Sequence, residues 1–273
     1  DRNLVKKKIV NNLNDKRLEV IKIKVPFKDS NKKNEFANFV VYFFKSIFFT
    51  FKLKPSMILG TSGRLGTNFL AALVGFFKNK PYILDIRDLF AINTQEIILK
   101  NYPILGQIFF KVIINLEKLI YKNAYIINVV SEGFIKYYKS IGFEVNKWTF
   151  FPNGYDEIFK NEKKKISLKP NKENKKILLY AGNLGLGQGI EKLVLKISKY
   201  LPRDWIFIII GSGKKFVQIQ NIINKNNILN VILLPPVDKL ELLSWYHRVN
   251  AFLINLNNFD CLNYVIPSKS FEL

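Results

Sequence analysis

The stretch KKILLYAGNLGLGQGI, residues 175–190, decides the class of fold. It begins with a short apolar run over residues 175–181, which predicts a buried β-strand. It continues through a loop at 182–189 that holds four glycines in eight residues, and then enters a helical pattern. Glycines there let the backbone approach a ligand closely, and a helix N-terminus offers N–H groups to a phosphate. A plain turn would need only one glycine, and this loop has four. The stretch therefore predicts a strand–loop–helix unit that binds a phosphate-bearing molecule.

The residues that follow this loop continue to alternate between helix and strand. Continuously apolar strands are predicted at 205–210 (WIFIII), 231–234 and 251–256, and helices at 189–201, through Phe216, Ile219 and Ile223, and from Asp238 onward. Asp238 and Glu241 form an Asp-x-x-Glu signal for the start of a helix. Apolar strands that alternate with helices are typical of a parallel sheet covered on both faces. The second half of the chain is therefore predicted to be an α/β domain.

The first half repeats the pattern less regularly. Strands are predicted at 20–25, 57–59, 82–86, 125–130 and 149–151, with helical segments between them. The segment 161–176 is rich in Lys and Asn and contains Pro170, which indicates a linker. We therefore expect two α/β domains, residues 1–160 and 177–273, joined by a linker at 161–176. Ligands of such folds bind in the cleft at the carboxyl ends of the strands.

Composition sets further limits on the chain. Its 273 residues carry a formal net charge of +22, and such basicity favours an anionic partner: nucleic acid, lipid headgroups or a phosphorylated small molecule. The scattered Lys, Asn and Ile are equally typical of compositional drift in an A/T-rich genome. The single cysteine, Cys261, excludes an internal disulfide and favours a reducing, cytoplasmic location. Because the chain starts at Asp1 without Met and stops at Leu273, we expect its first and last elements to be missing.

A densely aromatic segment, FANFVVYFFKSIFFTF, extends from Phe36 to Phe51. It is too short to span a bilayer and carries Lys45 in its middle. Two interpretations stay open for it. It is a helix packed in the core, or it is an amphipathic helix that contacts the membrane surface with its aromatic rings and flanking lysines.

Three further stretches contain candidate site residues. In IPSKSFE (266–272), Lys269 can pair with a phosphate and Glu272 can accept hydrogen bonds from ribose hydroxyls, although such residues are commonly found on a surface. In DIRDL (85–89), Arg87 and Asp88 either form an ion pair or face the cleft. The loop TSG (61–63) is a weaker signal at another predicted strand end.

Several motifs are absent from the sequence. It has no Asp-x-Asp for a metal-bridged diphosphate, and its single histidine, His247, and single cysteine cannot form a zinc site. The glycine loop fits neither G-x-G-x-x-G nor a Walker A motif, and no Tyr-x-x-x-Lys occurs. We therefore predict no metal site, and short-chain epimerases and dehydrogenases are disfavoured.

Taken in order, these stretches resemble the family 4 glycosyltransferases, and in particular the amino-sugar (L-fucosamine-type) transferases of surface polysaccharide synthesis. The matching stretches are DIRDLF (85–90), NVVSEGF (128–134), FPNGYD (151–156), LLYAGNLGLGQGIEKL (178–193), GSG (211–213) and IPSKSFE (266–272). They cover nearly the whole chain in the right order. The resemblance implies a GT-B fold, two Rossmann-like domains with parallel sheets that face each other across a cleft. It also implies metal-independent, retaining transfer from a nucleotide-sugar donor, without a cofactor.

The resemblance also implies a role for individual residues. The donor would contact the loop residues Gly182, Asn183, Gly185, Gln188 and Gly189, together with Gly211, Ser268 and Lys269; Glu272 would hold the ribose, and Pro236 and Val237 would border the base. Arg87 and Asp88 would lie at the catalytic position, where many relatives carry a histidine, and Thr61, Ser62 and Arg64 would lie on the acceptor side. Many relatives carry Arg and Lys near Asn183 and Gln188, and an acid where Tyr264 stands.

These residues favour a transferase that moves a sugar, plausibly an N-acetyl amino sugar, from a UDP-linked donor to a glycan or lipid-linked acceptor. A UDP-sugar epimerase of the same fold is the enzyme alternative. A basic nucleic-acid-binding module is the non-enzyme alternative, for which the sequence offers no known reader motif. On the first hypothesis we expect a cytoplasmic protein, at the inner face of the cytoplasmic membrane if residues 36–51 bind lipid.

Overall fold

The computed structural model describes residues 4–6, 21–27, 32–62, 64–92, 103–154 and 175–271. The chain divides into two compact units. The first comprises Asp1–Val130 and Tyr137–Phe151, and the second comprises Ser131–Lys136 and Pro152–Leu273. The predicted boundaries at 160 and 176 stay a prediction, because residues 155–174 lie outside the described residues.

The first unit is built on a four-stranded parallel sheet with the strand order β3-β4-β5-β6. A separate antiparallel pair, β1 with β2, joins Leu4 to Ile23. The strands are β1 Leu4–Lys6, β2 Ile21–Ile23, β3 Ile58–Ser62, β4 Tyr82–Ile86, β5 Ile126–Val129 and β6 Trp148–Phe150. The helices are α1 Lys32–Lys52, α2 Leu65–Lys78, α3 Pro103–Lys122 and α4 Glu132–Ser140, the last of which is divided between the two units.

The central strands of this sheet bury their apolar side chains. Leu84 and Ile86 of β4 and Ile127 and Val129 of β5 have almost no exposed surface. Strands buried in this way are typical of a parallel sheet covered by helices. The predicted strands at 82–86, 125–130 and 149–151 are therefore confirmed to within one residue at each end.

The second unit has a four-stranded parallel sheet with the strand order β10-β7-β8-β9. Its elements are β7 Lys176–Ala181, α5 Ile190–Tyr200, β8 Trp205–Ile210, α6 Phe216–Lys225, β9 Val231–Leu234, α7 Lys239–Tyr246 and β10 Ala251–Phe252, followed by 3-10 turns at Asp260–Tyr264 and Ser268–Phe271. The side chain of Asp238 accepts a hydrogen bond from the backbone N–H of Glu241 at 2.9 Å, so it caps α7 as predicted.

Each face of this second sheet has its own apolar core. Tyr180, Phe207 and Ile209 pack with α5 and α6 on one face. Leu179 and Ile208 pack with residues of α7 on the other. Because both faces are covered, β7 and β8 are continuously apolar, which confirms the α/β prediction made from their sequences.

One predicted strand is much shorter than expected. The pattern over 251–256 predicted six strand residues, but β10 contains only Ala251–Phe252. The backbone N–H of Leu253 still bonds to the carbonyl of Leu179 at 2.7 Å. Beyond it, Asn255 and Asn257 bond to the glycine loop instead of to a neighbouring strand. The backbone N–H of Asn257 thus bonds to the carbonyl of Gly187 in the glycine loop instead of extending the sheet.

The aromatic segment from Phe36 to Phe51 lies in α1, and its two sides differ. On one side, the ring of Phe43 stacks on Phe69 of α2 with a centroid separation of 6.0 Å. On the other, Phe44 and Phe48 are exposed. None of the helices in the described ranges is long and apolar enough to cross a bilayer.

Candidate functional site

The glycine loop 182–189 is joined by backbone hydrogen bonds to the loop that follows β8. The N–H of Gly182 donates to the carbonyl of Ile210 at 2.8 Å, and the N–H of Leu184 donates to that of Ser212 at 2.7 Å. A Cβ atom on Gly211 would overlap the carbonyl oxygen of Gly182. A glycine at 211 therefore lets two loops meet at the carboxyl end of a parallel sheet, where ligands of such sheets bind.

Lys269 lies across the first residue of this loop. A Cβ atom on Gly182 would overlap the end of the Lys269 side chain. The Lys269 Nζ lies 4.0 Å from the centroid of the Tyr180 ring, which places the cation over the ring face. The structure therefore brings Lys269 to the glycine loop. The resemblance to family 4 implied that both contact the donor, and that role stays a prediction.

Tyr180 supports this arrangement from the core side of the loop. Its side chain is buried, and its hydroxyl donates to the carbonyl of Asn183 at 2.6 Å. Burial raises the pKa of the Tyr180 hydroxyl well above its usual value, which keeps the group a neutral donor. One side chain thus fixes the loop backbone and presents its ring to Lys269.

Asn183 and Gln188 bond to the loop and to each other. The Oε1 of Gln188 accepts from the backbone N–H of Gly185 at 3.3 Å and from the Nδ2 of Asn183 at 3.5 Å. Gly189 ends the loop with φ at +60°, a conformation that favours glycine, and caps α5. The two amides therefore help to fix the shape of the loop.

Two asparagines that the sequence analysis did not single out close the outer side of the loop. The Nδ2 of Asn255 donates to the carbonyl of Gln188 at 2.7 Å. Asn257 donates from its backbone N–H to Gly187 at 2.7 Å and from its Nδ2 to Leu186 at 3.0 Å. The only signal for them was a run of asparagines after a strand, which is hard to distinguish in a chain so rich in Asn.

A partly buried ion pair lies at the start of α5. Glu191 is 9% exposed, and its Oε1 lies 3.6 Å from the Nζ of Lys215. Lys215 follows the GSG stretch and also donates to the side chain of Gln218 at 2.8 Å. The negative charge in the first turn of α5 is therefore balanced by a cation from the neighbouring loop.

The other predicted donor residues are less closely tied to the loop. Ser268 begins the 3-10 turn that carries Lys269 and is exposed. Pro236 is exposed after β9, whereas Val237 packs against the apolar core on the α7 side of the sheet. Glu272 lies outside the described residues. The roles of these four residues stay predictions.

In the first unit, Asp85 is the centre of a polar cluster at the strand ends. Its Oδ2 accepts from the Thr61 hydroxyl at 2.6 Å and lies 3.3 Å from the Nη1 of Arg87. Its Oδ1 accepts from the Nδ2 of Asn128 at 2.6 Å, and Asn128 in turn accepts from the backbone N–H of Phe151 at 2.9 Å. One carboxylate therefore links side chains from β3, β4 and β5.

This cluster gives Arg87 a partner that the sequence analysis did not name. The sequence left open whether Arg87 and Asp88 form an ion pair or face the cleft, and the structure shows an ion pair between Arg87 and Asp85. The Oδ1 of Asp88 accepts from the backbone N–H of Leu89 at 2.9 Å. The sequence signal that could have identified Asp85 was its position as a charged residue inside the apolar strand 82–86. Asn128 gave no such signal, because its partner Asp85 is 43 residues away in the chain.

The acceptor-side residues are only partly placed. Thr61 belongs to the Asp85 cluster, and Arg64 is exposed immediately before α2. The side chain of Ser62 is outside the described part of the chain, as is Gly63. Within the described ranges, no three His, Cys, Asp or Glu side chains come together in a way that could hold a metal ion.

Comparisons with solved structures identify the architecture. HepE from Anabaena, solved with UDP-glucose, matches with a TM-score of 0.55 and 14% identity over 77% of this chain and 55% of that chain. The chain has a GT-B fold. HepE with UDP and glucose matches this GT-B chain with a TM-score of 0.55 and 12% identity, over 81% of this chain and 57% of that chain.

A second protein matches the GT-B chain at the same level of identity. A Listeria monocytogenes protein assigned as a UDP-N-acetylglucosamine 2-epimerase has a TM-score of 0.50 and 12% identity, over 84% of this chain and 59% of that chain. The GT-B chain thus spans less than two thirds of each of these structures. No family model and no curated protein matches it. The predicted fold class is confirmed by structure, without a family assignment from sequence.

Proposed function

We propose that the chain is part of a glycosyltransferase that uses a UDP-sugar donor. The arrangement of Lys269 across Gly182 and over Tyr180 carries this proposal, because it sets a cation against a glycine loop that leads into a helix. The departing UDP gains negative charge on its diphosphate as the bond to the sugar breaks. A fixed cation and the N–H groups of a helix N-terminus stabilise that charge.

The lack of cations within the loop makes Lys269 more important. Asn183 and Gln188 are neutral and bond to each other, and Lys215 is paired with Glu191. Each therefore contributes little net charge to a bound diphosphate. On this proposal Lys269 contributes positive charge to the diphosphate from beside the loop, and the transfer proceeds without a metal ion.

The proposed acceptor side is the Asp85 cluster of the first unit. Asp85 and Arg87 offer a carboxylate and a guanidinium at the carboxyl ends of the strands, which suits the hydroxyl groups of a sugar. The side chain of Asp85 is 18% exposed and that of Arg87 is 49% exposed. Thr61 and Asn128 hold the carboxylate in place from two neighbouring strands.

The comparisons and the sequence support different parts of the proposal. The bound UDP-glucose of HepE supports a UDP-linked donor. The resemblance to family 4 supports retaining transfer, an N-acetyl amino sugar, and a glycan or lipid-linked acceptor in surface polysaccharide synthesis. The predicted location, in the cytoplasm or at the inner face of the cytoplasmic membrane, belongs to the same proposal.

Titration calorimetry with UDP, GDP and ADP tests the donor site. We expect UDP to bind, and we expect Lys269→Ala to weaken it by about 10- to 100-fold, the effect of losing one charge-assisted hydrogen bond. Lys199→Ala is a matched control, because the Nζ of Lys199 also lies over a tyrosine ring, that of Tyr200, at 5.5 Å. Equal UDP affinity in the Lys269 and Lys199 variants would contradict the proposal.

A UDP-sugar 2-epimerase is the second candidate, favoured by the match to the Listeria protein. The two enzymes differ in what they do to the donor without an acceptor. An epimerase converts UDP-N-acetylglucosamine to its 2-epimer in the absence of any acceptor, whereas a transferase leaves the sugar's configuration unchanged. Proton NMR of the incubated donor separates the two.

The non-enzyme alternative, nucleic-acid binding, predicts a different response to salt. The logarithm of its affinity for nucleic acid would fall steeply and linearly with the logarithm of the salt concentration. The reason is that binding releases the counterions condensed on the nucleic acid. Tight, salt-sensitive binding of oligonucleotides together with no response to UDP would favour that alternative.

A further inference from the structure

A continuous set of exposed phenylalanine rings covers one side of α1 and α2 in the first unit. We call it the aromatic face, and it consists of Phe44, Phe48, Phe51, Phe76 and Phe77. Each ring is at least 39% exposed, and Phe76 reaches 79%. Single exposed apolar residues are ordinary on a protein surface, but a contiguous group of large rings marks an interaction site.

Ring contacts and one hydrogen bond join the two helices into a single surface. The centroids of Phe51 and Phe77 are 5.8 Å apart, and those of Phe76 and Phe77 are 5.5 Å apart. The Nζ of Lys78 also donates to the carbonyl of Phe51 at 2.6 Å. The face is therefore a fixed feature of the packed helix pair.

The aromatic face is distinct from the side on which α1 packs. That packing side is formed by Phe39 and Phe43, and Phe43 stacks on Phe69 of α2. Beyond Phe76, the apolar surface continues into a groove of about 860 Å³ between α2 and α3, lined by Leu73, Leu119 and other residues. Apart from the contact between Phe51 and Phe77, the exposed rings are thus additional to the contacts between the two helices.

Lysines lie beside the aromatic face. The Nζ of Lys52 lies 4.1 Å from the centroid of Phe48, and that of Lys78 lies 5.3 Å from the centroid of Phe51. The sequence contains no Asp or Glu from Phe36 to Leu84. Exposed rings can enter the apolar acyl region of a bilayer, and neighbouring lysines can pair with anionic headgroups. The aromatic face therefore complements the surface of an anionic bilayer.

We propose that the aromatic face docks on the surface of an anionic lipid bilayer, with α1 and α2 lying along the interface. The rings would enter the boundary between headgroups and acyl chains, while Lys52 and Lys54 would remain among the anionic headgroups. This surface is separate from the glycine loop, and its function does not depend on the proposed transferase activity.

Flotation of the protein with lipid vesicles tests the proposal. We expect binding to vesicles that contain phosphatidylglycerol and at least tenfold weaker binding to pure phosphatidylcholine. Phe48→Ser together with Phe77→Ser should lower the partition coefficient about tenfold or more, because two large apolar groups no longer leave water. Lys52→Glu with Lys54→Glu should abolish the preference for anionic vesicles.

A matched control makes the same kind of change on the other unit. Tyr200→Ser with Leu229→Ser removes two side chains that are 76% and 92% exposed, and it should leave flotation unchanged. Circular dichroism confirms that each variant is folded. An equal loss in the control pair, equal binding to neutral vesicles, or no binding together with self-association in light scattering would each overturn the proposal.

Discussion

Glu117 makes the stability of the first unit depend on pH in an unusual direction. It lies on α3 with no exposed surface, and its Oε2 accepts from the Tyr138 hydroxyl at 3.1 Å. Its Oε1 has no hydrogen-bond partner within the described residues. Burial raises the pKa of Glu117 to about 8, although hydrogen bonds from Tyr138 and Tyr121 act in the opposite direction. The folded protein therefore holds this carboxyl protonated at neutral pH.

The sign of the effect follows from comparing folded and unfolded states. The ordinary pKa of the group is 4.5, so the unfolded chain loses the proton near that pH, while the folded chain keeps it up to about pH 8. The stability that Glu117 contributes is thus complete below pH 4.5 and is lost as the pH rises through 8. A difference of this size corresponds to at most about 5 kcal/mol, and the neutral amide of Glu117→Gln removes it.

Urea unfolding of the wild type and of Glu117→Gln at pH 5 and pH 9 measures this contribution. We expect the wild type to lose on the order of 3–5 kcal/mol more than the variant over that range. Glu132→Gln, an exposed glutamate in the first turn of α4, is the control and should follow the wild type. If Glu117→Gln and the wild type lose the same free energy of unfolding, the carboxyl is ionised in the folded state and the reasoning is wrong.

Three other substitutions test how the second unit is built. Asp238→Ala removes the N-cap bond to the N–H of Glu241 and should cost about 1 kcal/mol of unfolding free energy in urea. Gly211→Ala places a Cβ against the carbonyl of Gly182 and should cost about 2 kcal/mol or more, with weaker UDP binding by calorimetry. Asn257→Ala should speed amide hydrogen exchange across the glycine loop several-fold, while global stability changes by about 1 kcal/mol or less.

Each of these three expectations has a result that would contradict it. Asp238→Ser retains a capping oxygen, so a loss as large as that of the alanine variant would show that capping is not the cause. Gly154→Ala, where an added Cβ meets nothing within 4 Å among the described residues, should be tolerated better than Gly211→Ala, and an equal loss at both would contradict the expected clash. For Asn257, unchanged exchange in the loop would mean that its hydrogen bonds are dispensable.

The second unit was predictable from sequence because its strands are apolar on both faces. β8 and β9 were predicted with their observed bounds, and the glycine loop was recognised from its composition alone. The proximity of Lys269 to the loop was expected from the resemblance to a family. The bonds from Asn255 and Asn257 were not predictable, because their partners are carbonyls of the glycine loop about 70 residues earlier in the chain. The local pattern therefore did not show that the strand ends before these residues.

The first unit shows a different limit. The sequence analysis chose Arg87 and Asp88 because they are adjacent charged residues at a strand end. The structure centres the cluster on Asp85, whose partners come from two neighbouring strands and from Arg87 just after β4, and lie up to 43 residues away. Pairings across a parallel sheet depend on strand order, which local pattern does not reveal.

Several of the hydrogen bonds that hold the glycine loop are made by its backbone atoms. The carbonyls at positions 186 and 187 are fixed by Asn257, and the N–H at 184 is fixed by Ser212. Leu186 is 55% exposed, and its side chain can therefore be exchanged while the loop keeps its shape. If the proposed donor site is correct, saturation libraries at this position sample new donor preferences on an unchanged backbone.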